Sequence, residues 1–154
     1  RELVGACALL GSLVLAAQLR GWGGARTLGR PILWVLHVGY AWLALSGLII
    51  LASGGLGYGG AAYDAALHAV LLGFVFSMVF GHAPVIFPAV LRIALPYRAV
   101  FYGPLVVLHA SVLLRFIADL AESAPLRAAG GLGNALAIVF FIFTAAALAL
   151  TAKR

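Results

Sequence analysis

Five long apolar runs, separated by short polar or glycine-rich connectors, dominate the chain. They lie near residues 3–19, 31–52, 65–91, 100–120 and 132–151. A helix needs about 20 apolar residues to cross a hydrocarbon core of about 30 Å, and each run approaches or exceeds that length. The runs are continuous rather than short and alternating, which favours helices over a barrel. The pattern predicts an all-α integral membrane helical bundle of five transmembrane helices, formed as a single domain over residues 1–154.

Composition points to the lipid bilayer as the main partner. The chain of 154 residues is 65% hydrophobic and 9% charged, whereas soluble domains contain about 25% charged residues. The net charge of +6 is spread over the connectors without a basic run, so nucleic acid is excluded as a partner. Cys7 is the only cysteine, which excludes a disulfide within the chain and a cysteine-based zinc or iron–sulfur site.

The basic residues predict an orientation. If the five spans alternate in direction, seven basic residues fall on one side of the membrane: Arg20, Arg26, Arg30, Arg92, Arg98, Lys153 and Arg154. The opposite side receives Arg1, Arg115 and Arg127 together with all four acids, Glu2, Asp64, Asp119 and Glu122. The positive-inside rule then predicts the N-terminus out and the C-terminus in, as in a multi-pass protein of the bacterial cytoplasmic (inner) membrane.

Four histidines within the apolar runs are the main candidates for chemistry. They are His37, His68, His82 and His109. An imidazole costs free energy in hydrocarbon unless it is bonded, so histidines at membrane depth are usually paired or functional. On one helix, His68 and His82 lie within roughly 40° of the same face and about 21 Å apart. Counting at about 1.5 Å per residue places His37, His82 and His109 at similar depth in the inner leaflet, with His68 near the outer end.

Imidazoles that converge from facing helices are typical of haem and metal sites in bundles. We therefore predict haem b as a cofactor, with copper as a second metal. The predicted ligands of this site are His37, His82 and His109, and His68 is predicted as a second-site or cross-leaflet ligand. Arginines are suited to haem propionates, and the cations on the predicted inner side are Arg30, Arg92 and Arg98. The aromatic residues that could flank a macrocycle are Trp34, Tyr40 and Phe80. Met78 adds a thioether one turn before His82, which would suit copper.

Each of these features also has a structural interpretation. Membrane histidines often form interhelical hydrogen bonds, and Asp64 could hold the ring of His68 as a local pair. Arg115 and Asp119, at i and i+4, are expected to form an ion pair near the outer end of their helix. Gly73 and Gly81 are expected to allow close helix approach. Prolines 84 and 88 predict a kink or change of direction just after His82.

Part of the chain resembles the NnrS family of polytopic haem- and copper-containing membrane proteins. The similar elements, over about residues 20–85, are Pro31 with Trp34, Leu36-His37, Gly39-Tyr40 and Trp42, then Leu67-His68-Ala69, Gly73, Met78 and Gly81-His82. The resemblance implies histidine-bound haem and copper, a bacterial cytoplasmic membrane, and a role in the response to nitric oxide. It also implies that His37, His68 and His82 are ligands, with Tyr40 and Trp42 as neighbours. Family members are longer, so the chain would be part of a longer protein or a short relative in a homo-oligomer or larger membrane complex.

The sequence therefore predicts a haem-binding membrane protein, with copper as a further ligand, that binds a diatomic gas or transfers electrons. Two alternatives stay open. One is a haem-free accessory subunit of a larger respiratory or photosynthetic complex, and the other is a small transporter or channel with histidines along a polar path. The sequence shows no nucleophile–base pair, phosphate loop or paired carboxylates, so no enzymatic reaction is assigned.

Overall fold

The computed structural model describes residues 2–21, 31–53 and 60–152. Six α-helices follow one another along the chain: α1 (Glu2–Gly21), α2 (Pro31–Ala52), α3 (Ala61–His68), α4 (Ser77–Leu91), α5 (Tyr102–Leu120) and α6 (Ala124–Thr151). A π-helical segment, Ala69–Phe76, joins α3 to α4, and a 3-10 turn, Ala99–Phe101, precedes α5. No strand occurs in the ranges described. The predicted all-α class is confirmed for them.

Four helical stretches are long and apolar enough to cross a membrane. They are Ile32–Ala52, Ala61–Leu91, Ala99–Leu120 and Ala124–Thr151. We refer to Ala61–Leu91, which comprises α3, the π-helical segment and α4, as the long helix. In α1 the apolar stretch, Leu3–Gln18, is shorter than the other four. The chain is therefore a helical protein with at least four membrane-length helices, and the first of the five predicted spans stays a prediction.

Two helix boundaries differ from the predictions. The last helix begins at Ala124 rather than near residue 132, with Pro125 in its first turn, where a missing N–H is tolerated. Gly130, Gly131 and Gly133 lie inside this helix, which packs against α5. At Gly130 the two helices are so close that a Cβ would lie 2.9 Å from the Arg115 backbone. The third span begins at Ala61, four residues before the predicted start at 65.

The prolines of α4 do not end the helix. Pro84 and Pro88 lie inside α4, which continues to Leu91 and ends where Arg92 adopts a left-handed conformation (φ 53°). The irregular winding occurs earlier, in the π-helical segment, where a Cβ at Gly73 would meet the indole of Trp42. A kink at the two prolines stays a prediction, and the helix continues without a break past His82. The chain changes direction ten residues later, at Arg92.

Neighbouring helices in the chain are neighbours in space. α1 packs on α2, α2 on the long helix, the long helix on α5, and α5 on α6. Buried apolar side chains fill the space between the long helix, α5 and α6, where Phe80 stacks on Phe141 with ring centroids 4.2 Å apart. Val35 and Trp42 extend this core to α2.

The close approach predicted for two glycines is confirmed. A Cβ at Gly81 would lie 2.8 Å from Cγ1 of Val35, and one at Gly73 would overlap the Trp42 ring. Both contacts lie between α2 and the long helix. Small residues at such interfaces let backbones approach closely, which is what holds helices together in lipid.

Replacing Gly73 by alanine is expected to destabilise the bundle by about 1–3 kcal/mol, because the rigid indole of Trp42 cannot give way to the added methyl group. Unfolding of the purified protein in mixed detergent and sodium dodecyl sulfate, followed by circular dichroism, would measure the change. Gly11→Ala is the matched control, since in the described residues no side chain or neighbouring helix lies within 4 Å of a Cβ placed at Gly11. Equal stability of the two variants would contradict the packing described here.

Candidate functional site

Three of the four histidines hold their rings in the same way. In each, Nδ1 lies within hydrogen-bond distance of the backbone oxygen four residues earlier: His37 to Leu33 at 2.9 Å, His68 to Asp64 at 2.6 Å and His82 to Met78 at 2.8 Å. A carbonyl oxygen only accepts, so Nδ1 must donate and Nε2 carries the lone pair when the ring is neutral. Metal-binding histidines commonly show this arrangement, in which a carbonyl fixes the tautomer and leaves the other nitrogen to bind.

His82 lies on the wall of an apolar groove between α2 and the long helix. The groove has a volume of about 540 Å³. Its lining residues are Leu36, Tyr40, Phe74, Met78, Val79, His82, Ala83, Ile86 and Phe87. His82 and Tyr40 are the groups in this lining with side-chain nitrogen or oxygen atoms, and the Tyr40 ring packs 5.7 Å from that of Phe74. Nε2 of His82 has no hydrogen-bond partner in the part of the chain described.

His109 differs from the other three because both of its ring nitrogens face side chains. The indole N–H of Trp42 donates to Nδ1 at 3.1 Å, so Nδ1 is the acceptor and Nε2 carries the hydrogen in the neutral ring. Nε2 lies 3.4 Å from Oγ of Ser77, whose hydroxyl donates to the carbonyl of Gly73. This chain of bonds joins α5 to α2 and to the long helix. It is the interhelical hydrogen bonding that the structural interpretation of membrane histidines predicts.

The predicted inner cluster of histidines is not gathered around one point. Among the residues described, no group of three or more His, Cys, Asp or Glu side chains could hold a metal ion. At about 100° per residue, His37 lies roughly 160° around α2 from Gly39, which faces the long helix. His82 lies five residues, or about 8 Å, along the long helix from Ser77, the neighbour of His109. The role of each histidine as a ligand stays a prediction.

The other predicted site residues are also dispersed. The Trp34 ring lies 6.3 Å from those of Tyr102 and His109, inside the bundle, and Phe80 is buried against Phe141. Arg92 lines a cleft with the C-terminal end of α6 rather than the groove of His82. Arg30 lies outside the described residues. Tyr40 is thus the predicted flanking aromatic that the groove retains.

A second polar site lies at the other end of the long helix, around Asp119. This carboxylate is fully buried, with Oδ1 3.2 Å from Nε of Arg115 and 3.1 Å from Nε of Arg127. Its Oδ2 lies 3.5 Å from Nδ1 of His68. These ion pairs are close in distance but poorly aligned, since neither Nε nor either carboxylate oxygen makes a well-directed hydrogen bond. We call His68, Arg115, Asp119 and Arg127 the Asp119 cluster.

The Asp119 cluster was only partly predictable. The i,i+4 pair of Arg115 and Asp119 is confirmed. The predicted pairing of His68 with Asp64 occurs through the Asp64 backbone oxygen, and the carboxylate near His68 belongs to Asp119. The contact of Arg127 with Asp119 is not predicted from the sequence, because residue 127 precedes the predicted span 132–151. The early start of α6 places it beside Asp119, and its backbone oxygen accepts a bond from Nη1 of Arg115.

In comparison with known proteins, a family model described as "Domain of unknown function (DUF8744)" matches residues 5–150. The chain belongs to the DUF8744 family. No curated protein and no solved structure matches it. The DUF8744 match includes all four histidines and the Asp119 cluster, so both sites are parts of the family domain. It carries no link to the NnrS family, and that resemblance stays a prediction.

Asp119→Asn is expected to destabilise this DUF8744 chain by about 2–3 kcal/mol, because two guanidinium groups would lose their shared counter-charge. The estimate is below the roughly 3–5 kcal/mol of a fully buried pair, since the Arg115 and Arg127 side chains remain 20% and 30% exposed. Detergent unfolding monitored by circular dichroism would measure it. Asp64→Asn is the matched control, because the Asp64 carboxylate makes no ion pair in the ranges described. A larger loss in the control would contradict the assignment of Asp119 as the central carboxylate.

Proposed function

We propose that this protein binds haem b in the bacterial cytoplasmic membrane, with His82 as an iron ligand. The observation that carries the proposal is the setting of His82: its Nδ1 is fixed by the Met78 carbonyl at 2.8 Å, and its ring borders an apolar groove of about 540 Å³. Haem, when bound, supplies an iron that can change redox state or take up a diatomic gas.

The groove is suited to a flat apolar ligand. Its volume falls within the range of about 300–1,000 Å³ that is usual for sites of drug-sized ligands and cofactors. Aliphatic and aromatic side chains form most of the wall, and Phe74, Tyr40 and Phe87 provide ring surfaces. The Met78 carbonyl orients the imidazole and leaves Nε2 as the nitrogen for a metal.

Met78 lies in the same lining as His82 and offers a soft donor. Because the two are four residues apart on one helix, they lie on one side of the groove and cannot bind an iron from opposite faces. A thioether beside an imidazole suits copper, so we propose copper as a second ligand of this groove. His37 and His68 share the ring geometry of His82 and are proposed as ligands at separate positions.

The proposed role is electron transfer or the response to nitric oxide. An electron-transfer role fits the two ends of the long helix, where His68 and His82 are held alike. The nitric oxide role rests on the resemblance to the NnrS family. In both roles the protein side chains bind and orient the cofactor and exclude water from it.

We also propose five spans, with α1 as the first, the N-terminus outside and the C-terminus inside. The support is the distribution of charge: Arg20, Arg92 and Arg98 lie at one end of the helices, and all four acids lie at the other. In a Cys7→Ser background, an impermeant maleimide added to intact cells is expected to label Ser123→Cys and to leave Ala94→Cys unlabelled. The reverse pattern would overturn the orientation.

The haem proposal is tested by a reduced-minus-oxidised absorption spectrum of detergent-purified protein, with pyridine haemochrome quantitation and metal analysis. A Soret band and stoichiometric haem in the haemochrome assay are expected, with a loss of about tenfold or more in bound haem for His82→Gly. Added imidazole is expected to restore the spectrum of His82→Gly, which separates a lost ligand from a misfolded chain. Val79→Ala is the matched control, because Val79 lines the same groove without a ligand atom. A flat spectrum with no metal in the wild-type chain would refute the proposal.

A haem-free accessory subunit is the second candidate, and the surroundings of His109 favour it. Its nitrogens are already engaged by Trp42 and Ser77, as expected of a packing histidine. In the same spectra, His109→Ala is expected to alter stability or assembly without changing the haem bands. If all four histidine variants behave in this way, the accessory role replaces the haem-binding role.

A further inference from the structure

The connector between the long helix and α5 forms an unusual cleft with the end of α6. The connector leaves the long helix at Arg92 (φ 53°) and reaches Arg98 in an extended conformation (φ −132°, ψ 154°). Two adjoining cavities of about 660 and 640 Å³ lie along it and share Ile93, Ala94 and Ala152. Arg92 lines one cavity and Arg98 the other. We call the two cavities together the connector cleft.

Positive groups without partners surround the connector cleft. Neither the Arg92 nor the Arg98 side chain forms a hydrogen bond or ion pair with any residue that the structure describes. The amide N–H groups of Ile93, Ala94, Leu95 and Tyr97 also donate no hydrogen bond within the described ranges. Among the described residues, the acids Asp64, Asp119 and Glu122 lie at the opposite ends of their helices, away from the cleft. The cleft therefore offers two guanidinium groups to an anion, and three of the residues with free amide N–H groups, Ile93, Ala94 and Leu95, line it.

The rest of the connector cleft is apolar. Ala149 and Leu150 of α6 form one wall, and Pro88, Leu95 and Pro96 form part of the other. Leu150 is 86% exposed, so this wall continues onto the outer surface of α6, which is proposed to face the lipid chains. A ligand that matches both parts must carry an anionic group on an apolar body.

We propose that the connector cleft binds the phosphate headgroup of an anionic phospholipid, with its acyl chains along the end of α6. Arginine binds phosphate oxygens in a bidentate manner, and basic pockets between membrane helices are known to take anionic headgroups. A free phosphate would use the arginines but gain nothing from the apolar wall, so the lipid is the preferred source of the anion. The bend at Arg92 presents the first guanidinium at the point where the long helix ends.

The connector cleft is separate from the groove of His82. No residue lines both sites, and the groove lies on the α2 side of the long helix whereas the cleft lies on the α6 side. In this proposal Arg92 binds the lipid phosphate, and its role toward a haem propionate stays a separate prediction. The lipid site does not depend on the haem proposal and can be tested on protein with or without haem.

The test is lipid binding to the full chain in dodecyl maltoside, measured by native mass spectrometry. Phosphatidylglycerol, phosphatidylcholine and inorganic phosphate are titrated separately. Phosphatidylglycerol is expected to bind more tightly than phosphatidylcholine. Each arginine near an anionic headgroup contributes about fivefold in affinity, so the double variant Arg92→Asn/Arg98→Gln is expected to bind phosphatidylglycerol roughly 30-fold more weakly. Asparagine is used at position 92 because it tolerates the left-handed conformation there.

Two control variants keep the test decisive. Arg20→Gln removes an exposed positive charge from the last turn of α1, outside the cleft, and is expected to leave binding unchanged. Arg92→Lys/Arg98→Lys keeps both charges and is expected to retain more binding than the Asn/Gln variant. The proposal would be overturned if the two phospholipids bound equally, or if Arg20→Gln and the Asn/Gln variant lost the same amount of binding. It would also be overturned if inorganic phosphate bound as tightly as phosphatidylglycerol.

Discussion

The close approach of α2 to the long helix is the contact on which the rest of the structure depends. In lipid, apolar side chains gain little by leaving the solvent, so helices associate through tight packing and interhelical hydrogen bonds. Gly73 and Gly81 supply the packing, and the indole of Trp42 lies directly over Gly73. The same indole donates to His109, which fixes α5 beside this pair. The groove of His82 flanks this interface and is lined by Leu36 and Tyr40 of α2 and by side chains of the long helix.

Much of the fold follows from the sequence, because apolar runs of membrane length have few alternatives to helices. Those runs predict α2 and α5 to within a few residues, and the i,i+4 spacing predicts the pair of Arg115 and Asp119. The sequence does not predict, in the same way, which neighbours each histidine side chain faces. Depth can be counted along a helix, but whether His37 faces its neighbours depends on how α2 is rotated, and a helix that is apolar all round carries no signal of that rotation.

The histidines differ more clearly in which ring nitrogen carries the hydrogen than in their depth along the helices. A ring whose Nδ1 donates to its own helix, as in His82, keeps Nε2 for an incoming ligand. A ring whose Nδ1 accepts from Trp42, as in His109, is committed to holding helices together. Four histidines that look equivalent in the sequence therefore belong to two chemical classes. The sequence could not separate these classes, because the partner of His109 lies 67 positions away in the chain.

The Asp119 cluster also bears on how the chain enters the membrane. A single charged side chain at the centre of an inserting helix costs about 2.5–3.5 kcal/mol on translocon-based scales. Arg115 and Asp119 lie one turn apart near the end of α5, so they can neutralise each other before any other helix is present. Arg127, in the first turns of α6, and His68, in α3, reach the carboxylate only when the helices assemble. The local pair is thus available to α5 alone, whereas the other two contacts of Asp119 require the helices to be packed together.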